Sequence, residues 1–257
     1  MTSTERGRRK YDALADRYEE IYFYVADVGR RLVEFAEPPP GARLLDVGAG
    51  RGAVAGPALA RGCVVTAVDA SAGMVSHLAA DYPDIVARQQ DAGALEFQDG
   101  SFDVVTAGFL VQVLDPPSAG LAEFRRVLAP GGTLALSLER QEVGRLGWLH
   151  ELSREFFGGG SADDRSPLTA DQLDALIVDA GFSSPTRMEI DIPKPFPNPA
   201  ALWDWLALQG VPEAVDALPT AKAVAFREGF FRGAEEMHRD GGIVLDFGAT
   251  LHRATLS

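Results

Sequence analysis

Short apolar runs separated by turn-forming residues recur from position 43 onward: "RLLDV", "CVVTAVD", "DIVARQQD", "FDVVTAG" and "GTLALSLE". Each run is too short for a helix, and their alternation with helical segments is the mark of a parallel sheet covered on both faces. Segments suited to helices lie between them, so the pattern predicts a doubly wound α/β layout with a mostly parallel sheet. Two further strands are expected at about 186–192 and 243–254, the last of them antiparallel. Upstream, Leu14, Tyr18, Tyr22, Val25, Leu32 and Phe35 recur at near-helical spacing and predict one amphipathic helix or a helix pair ending at "PPPG". Thr169 with Gln172 forms a capping-box pattern, and the helix it opens runs through Leu173, Leu176, Ile177 and Ala180 to a stop at Gly181. The proline-rich entry of "PKPFPNPAALWDWLALQG" excludes a central strand. Residues 193–240 are therefore read as a helical cap, with Trp203, Leu206, Phe226, Phe230 and Met237 either joining it to the sheet or touching an apolar substrate. The expected organisation is one domain: a helical lid over 1–36, a core over 41–192 and 241–257, and the cap.

Composition narrows the function. A net charge of −13 opposes a phosphate backbone, which argues against nucleic acid as a partner. The basic cluster Arg6, Arg8, Arg9 and Lys10 reads as a solvated tail, with a lid over an anionic group as the lesser alternative. The lone Cys63 has no intrachain partner and reads as strand packing. The N-terminus is too polar for a secretory signal, and no apolar run reaches the ~18 residues of a membrane span. A soluble, cytoplasmic protein is expected, and no metal site. The oligomeric state is not legible.

The stretch "RLLDVGAGRG" packs Gly48, Gly50 and Gly52 behind a strand that ends in an acid. In an open α/β sheet, ligands bind beyond the carboxyl ends of the strands, beside the first strand-to-helix turn. Bare backbone at such a turn admits positive φ and lets a flat or extended ligand approach closely. With Ala53 the turn also fits the GxGxxA dinucleotide pattern of Rossmann-like folds. Asp69 closes the second strand, where a carboxylate accepts both hydroxyls of an adenosine ribose. NAD shares these features. Asp46 separates the two cofactors: a carboxylate just ahead of the glycines repels a pyrophosphate but helps hold an ammonium, as S-adenosylmethionine would bring.

Taken together, "LLDVGAGRG", "VDASAGMV", "QQDAGALEF", "FDVVTAGFLVQVLD" and "FRRVLAPGGTLAL" resemble the class I S-adenosylmethionine-dependent methyltransferases, especially the small-molecule branch that includes the ubiquinone and menaquinone C-methyltransferases. The resemblance covers about residues 41–138. It implies that Asp69 binds the ribose, that Ala70 and Met74 pack on the adenine, and that Asp91 with the Ala92 amide meets the adenine edge. It further places Gly48, Ala49 and Gly50 along the cofactor, Thr106 and Ala107 at the methionine moiety, and Tyr11 and Tyr18 over the carboxylate. Pro130, Gly131 and Gly132 would form a structural turn before the fifth strand. Two departures stand out. Gln112 and Val113 occupy the place where relatives often carry a His pair, so no general base is carried over from there; Gly56 and Pro57 weaken the first core helix.

Methyl transfer from a sulfonium needs alignment and exclusion of water rather than a nucleophilic side chain. If the acceptor is a hydroxyl, a base helps. His150, in "GWLHELSREFF" just past the fifth strand, is the first candidate, with His238 and Glu139 behind it; His77 and His252 read as structural, the latter on an edge strand. The expected function is transfer of a methyl group to a small, largely apolar metabolite of secondary metabolism, with oxygen favoured as acceptor. The alternatives are an NAD(P)-dependent oxidoreductase and a protein that binds S-adenosylmethionine without transferring methyl.

Overall fold

A computed structural model of the chain describes residues 3–140, 144–158 and 168–256. Its strands are β1 Arg43–Val47, β2 Val64–Asp69, β3 Val86–Gln89, β4 Phe102–Gly108, β5 Leu128–Glu139, β6 Thr186–Phe196 and β7 Ile243–Thr255. They make one sheet in the order β3-β2-β1-β4-β5-β7-β6. β1 to β5 pair in parallel, and β7 returns antiparallel to β5. The order reverses between β1 and β4, which makes the space beyond their carboxyl ends the natural ligand crevice. β5 starts earlier than its apolar run because Leu128 already pairs with Phe102 before a register shift. The Pro130–Gly132 turn is thus an irregularity inside β5, with the Gly131 N–H donating to the Leu256 carbonyl.

The helices of the core are α1 Ser3–Leu14, α2 Tyr18–Ile21, α3 Val25–Ala36, α4 Ala55–Ala60, α5 Ala72–Asp81 and α6 Pro117–Val127. The single N-terminal periodicity therefore resolves into three helices. Val28, Leu32, Val33 and Ala36 of α3 are buried, and α3 packs on β4 and β5. It belongs to the layer covering the sheet, not to a lid. A Cβ at Gly29 would stand 2.2 Å from the Ala53 carbonyl oxygen, so only glycine lets α3 lie this close to the loop after β1. α4 is short, and its Pro57 sits within the first turn, where the missing N–H has no helical acceptor to lose.

Contacts divide the chain into two units: Met1–Arg140 with Leu168–Ile190 and Gly248–Ser257, and Gln141–Pro167 with Asp191–Phe247. The first is built on the sheet around Leu45, Val105, Phe124, Leu136 and Leu173. Leu173 lies on the next helix, α8 Ala170–Asp179, whose predicted Thr169–Gln172 capping box is present in both directions. His252 is not on an edge: β7 lies between β5 and β6, the ring is fully buried, and its Nδ1 is 2.7 Å from Asp174 of α8. Burial pushes its pKa below the usual value.

The second unit holds α7 Gly147–Phe157, α9 Pro199–Ala207, α10 Val211–Asp216 and α11 Thr220–Arg239. It includes a helix, α7, that the sequence reading left outside the cap. A Cβ at Gly233 of α11 would lie 2.3 Å from the Trp148 ring, so α7 and α11 meet where α11 has no side chain. The aromatics expected in the cap pack on one another: Phe226 and Phe230 are fully buried, and the Trp203 and Phe230 rings are 4.9 Å apart.

Candidate active site

The turn after β1 carries the chain from Val47 into α4 through three glycines with positive φ, Gly48 (67°), Gly50 (53°) and Gly52 (94°). They serve different ends. A Cβ on Gly48 would meet Leu110 Cδ1 at 2.8 Å, so that glycine lets the loop after β4 close on the turn. A Cβ on Gly50 would find nothing nearer than Tyr18 Cε1 at 4.0 Å, so there the missing side chain leaves room for a ligand. Gly52 and Gly56 instead make space for the ring of Tyr82.

The cleft beyond this turn has two connected parts that share Tyr18, Gly48, Gly50 and Gly108. The first runs along the end of β2, where Asp69, Ala70 and Met74 border it together with Asp91, Ala92 and Tyr11. Asp69 is fixed by backbone: Oδ2 accepts the Gly50 N–H at 2.9 Å and Oδ1 accepts the Ser71 N–H at 2.9 Å. Each oxygen keeps lone-pair capacity for a diol. Burial raises the Asp69 pKa, and these two amides oppose the rise. The roof is α1. Its Asp12 accepts the Ser71 hydroxyl at 2.5 Å and the Gly73 N–H at 3.2 Å, latching α1 to the start of α5 and setting Tyr11 over the cleft. Of the N-terminal basic cluster, Arg8 borders this part; the side chains of Arg6 and Lys10 lie outside the described residues.

The second part is bordered by Asp46, Ala49, Arg51, Tyr22 and Phe23. Asp46 is 1% exposed; its Oδ1 accepts the Thr106 hydroxyl at 2.9 Å, while its Oδ2 makes no hydrogen bond. Burial pushes its pKa up to about 7, against the pull of Thr106 and the Ala55 amide. Arg51 is held by Asp81 and Glu19 through its terminal nitrogens, yet its buried Nε has no partner. Asp46 and Arg51, each with a buried side-chain atom that makes no hydrogen bond, thus border one space. Such groups are costly unless a ligand completes them. Sequence reading found Asp46 and missed Arg51, whose place in the glycine turn made it look like filler.

Thr106 and Ala107 do not border the cleft. Both are fully buried, Thr106 bonding Asp46 and Ala107 joining the core. The crevice lies beyond the strand end, so the residues that reach it from β4 are Gly108, Phe109 and Leu110. Phe109 holds a left-handed backbone (φ 53°) that is strained for a residue with a side chain, kept in place by its N–H donating to Ser137. His150 is exposed on α7 in the second unit. Glu139, at the end of β5, accepts hydrogen bonds from the Tyr24 hydroxyl and the Gln112 amide.

Comparison with known proteins identifies the segment that carries this cleft, since residues 45–136 match the methyltransferase-domain family model. The chain is 41% identical over 108 residues to a demethylmenaquinone methyltransferase of Renibacterium salmoninarum, covering 42% of this chain and 46% of that protein. It is 36% identical over 137 residues to the nocamycin O-methyltransferase of Saccharothrix syringae, covering 49% of each. The matches span about half the length of these curated relatives. Among solved structures, the YcgJ protein of Bacillus subtilis shares the fold with a TM-score of 0.62 at 16% identity, covering 91% of this chain and 98% of that one.

A methyltransferase domain of this type takes S-adenosylmethionine as cofactor, and the residues of the cleft fit that molecule. Asp69 suits the ribose hydroxyls and the bare face of Gly50 its approach. Asp46 and Arg51 would offer opposite charges to the two ends of an α-amino acid. When bound, the cofactor supplies an electrophilic methyl group; the chain's tasks are to hold it and to keep water out.

Among the described residues, no helix is long and apolar enough to cross a membrane.

Proposed function

We propose that this chain transfers the methyl group of S-adenosylmethionine to a small, largely apolar metabolite, with a hydroxyl oxygen favoured as acceptor, in secondary metabolism. One observation carries the cofactor assignment: Asp46 and Arg51, each with a buried side-chain atom that makes no hydrogen bond, border the same space beside the glycine turn. A dinucleotide pyrophosphate would leave the Asp46 carboxylate facing like charge, whereas an α-ammonium pairs with it. The matched nocamycin O-methyltransferase supports a hydroxyl acceptor, and the aromatic border formed by Tyr22, Phe23 and Phe109 supports an apolar one. The net charge of −13 disfavours nucleic acid. Incubation with methyl-labelled S-adenosylmethionine and a broad metabolite extract tests the reading. Small products heavier by one methyl are expected; cofactor binding with no labelled product in any pool would favour a non-transferring binding protein instead.

The buried carboxylate makes cofactor binding depend on pH. An ammonium pairs with ionised Asp46, so below about pH 7 binding must first displace a proton from the carboxyl. Affinity for S-adenosylhomocysteine should therefore fall as pH drops through 7, by up to about tenfold per unit. Without ligand the sign is opposite. The folded-state pKa lies above the unfolded one, so Asp46 contributes stability in acid that is lost as pH rises through about 7. Asp46→Asn should thus melt higher than the wild type at pH 8 yet bind S-adenosylhomocysteine more weakly, with the pH slope gone. A variant that binds as tightly as the wild type with the slope intact would refute this role.

A further inference from the structure

The two parts of the cleft share four residues, Tyr18, Gly48, Gly50 and Gly108, and of these only Tyr18 carries a side chain. Where the parts meet, the border is therefore bare backbone and one phenol ring. A Cβ built on Gly50 would have Tyr18 Cε1 as its nearest neighbour, at 4.0 Å, so the ring stands over the glycine turn. Tyr18 opens α2, and its ring sits in a row of three. Tyr11, which borders the first part, lies 6.2 Å away at an interplanar angle of 68°. Tyr22, which borders the second, lies 4.9 Å away at 40°.

We infer that the Tyr18 ring is the contact for the positive sulfur of S-adenosylmethionine, and that it makes the site favour this cation over the neutral product S-adenosylhomocysteine. This rests on the methyl-transfer reading above, in which the adenosine and the amino acid occupy the two parts of one cleft. In that molecule the sulfur joins the ribose to the amino-acid chain. It therefore lies where the two parts meet, whichever part takes which end, and Tyr18 is the side chain at that place. An aromatic ring attracts a cation through the negative charge of its face, and the attraction grows as water is excluded. The thioether of the product carries no such charge, so the same ring holds it less tightly.

The surroundings act in the same direction. The Tyr18 phenol has a raised pKa, first through burial, then through Tyr11 and Tyr22 and the charges of Asp69 and Glu139. The ring thus stays uncharged at neutral pH, and the two carboxylates that act on it also favour a cation beside it. The family resemblance gives Tyr18 a different role, its hydroxyl closing over the cofactor's carboxylate. The two roles separate cleanly, because the carboxylate is present in cofactor and product alike, whereas the sulfonium is present in the cofactor alone.

The test is calorimetric titration of the full chain with S-adenosylmethionine and with S-adenosylhomocysteine, in the wild type and in variants at position 18. Tyr18→Leu should weaken S-adenosylmethionine by about three- to thirtyfold and leave S-adenosylhomocysteine within about twofold. Tyr18→Phe, which keeps the ring, should restore the binding of S-adenosylmethionine to within about threefold of wild type. Mono-, di- and trifluorinated phenylalanine at position 18 preserve the shape while draining the negative face. They should weaken S-adenosylmethionine stepwise with the product unmoved, and they serve where Tyr18→Leu does not fold. An equal loss for both ligands in Tyr18→Phe would give Tyr18 the carboxylate role and overturn the inference. So would an equal loss in Tyr18→Leu, or a fluorinated series with no trend, each leaving the cofactor reading intact. A wild-type chain that binds neither ligand would overturn both.

Discussion

Gly50→Val abolishes measurable binding of S-adenosylhomocysteine in a protein that still folds. Gly50 holds φ 53°, a region that a β-branched residue enters only with strain of order 1–3 kcal/mol. A Cβ there would find no protein atom nearer than Tyr18 Cε1 at 4.0 Å, so the added side chain occupies the ligand's path. The same strain disturbs the Gly50 N–H that holds Asp69 Oδ2, so one change removes the room and loosens the ribose carboxylate. Circular dichroism and thermal melting report the fold, and calorimetric titration reports the binding. Normal affinity in a folded Gly50→Val protein would place the cofactor elsewhere.

Asp69→Ala weakens S-adenosylhomocysteine binding by at least tenfold. Two charge-assisted hydrogen bonds to the ribose are lost, each worth about 1.5–3 kcal/mol, and the Gly50 and Ser71 amides lose their acceptor as well. Asp69→Asn should fall between, since its single carbonyl oxygen serves only one of the two amides while the amide nitrogen donates. Unchanged affinity in Asp69→Ala would remove the adenosine from the end of β2.

The strands and the glycine turn were legible because their signals are local: apolar runs, punctuation and an acid at a strand end all lie within a few residues. What escaped depends on the third dimension. Thr106 and Ala107 are expected at the methionine moiety, but a strand buried on both faces gives no hint of which residues reach past its end, and the residues that border the cleft there are Gly108 to Leu110. Arg51 reads as an ordinary residue within the turn until it is seen to border one space with Asp46. The lid was drawn too long because the spacing from Leu14 to Phe35 runs on across Tyr22–Tyr24 with no proline or glycine to mark the break, and α3 turned out to cover the sheet. His150 drew attention by its position after the fifth strand, yet α7 belongs to a unit with its own aromatic core.

The central claim is that this cleft is built for an adenosine joined to an α-amino acid and not for a pyrophosphate. Calorimetric titration of the wild-type chain at pH 7, with S-adenosylhomocysteine and NAD in parallel and in two buffers of different ionisation enthalpy, tests it most directly. The account predicts saturable binding of S-adenosylhomocysteine with net release of about half a proton per site, as the Asp46 carboxyls still protonated at that pH ionise against the ammonium, and no binding of NAD. Binding of NAD with none of S-adenosylhomocysteine would contradict it.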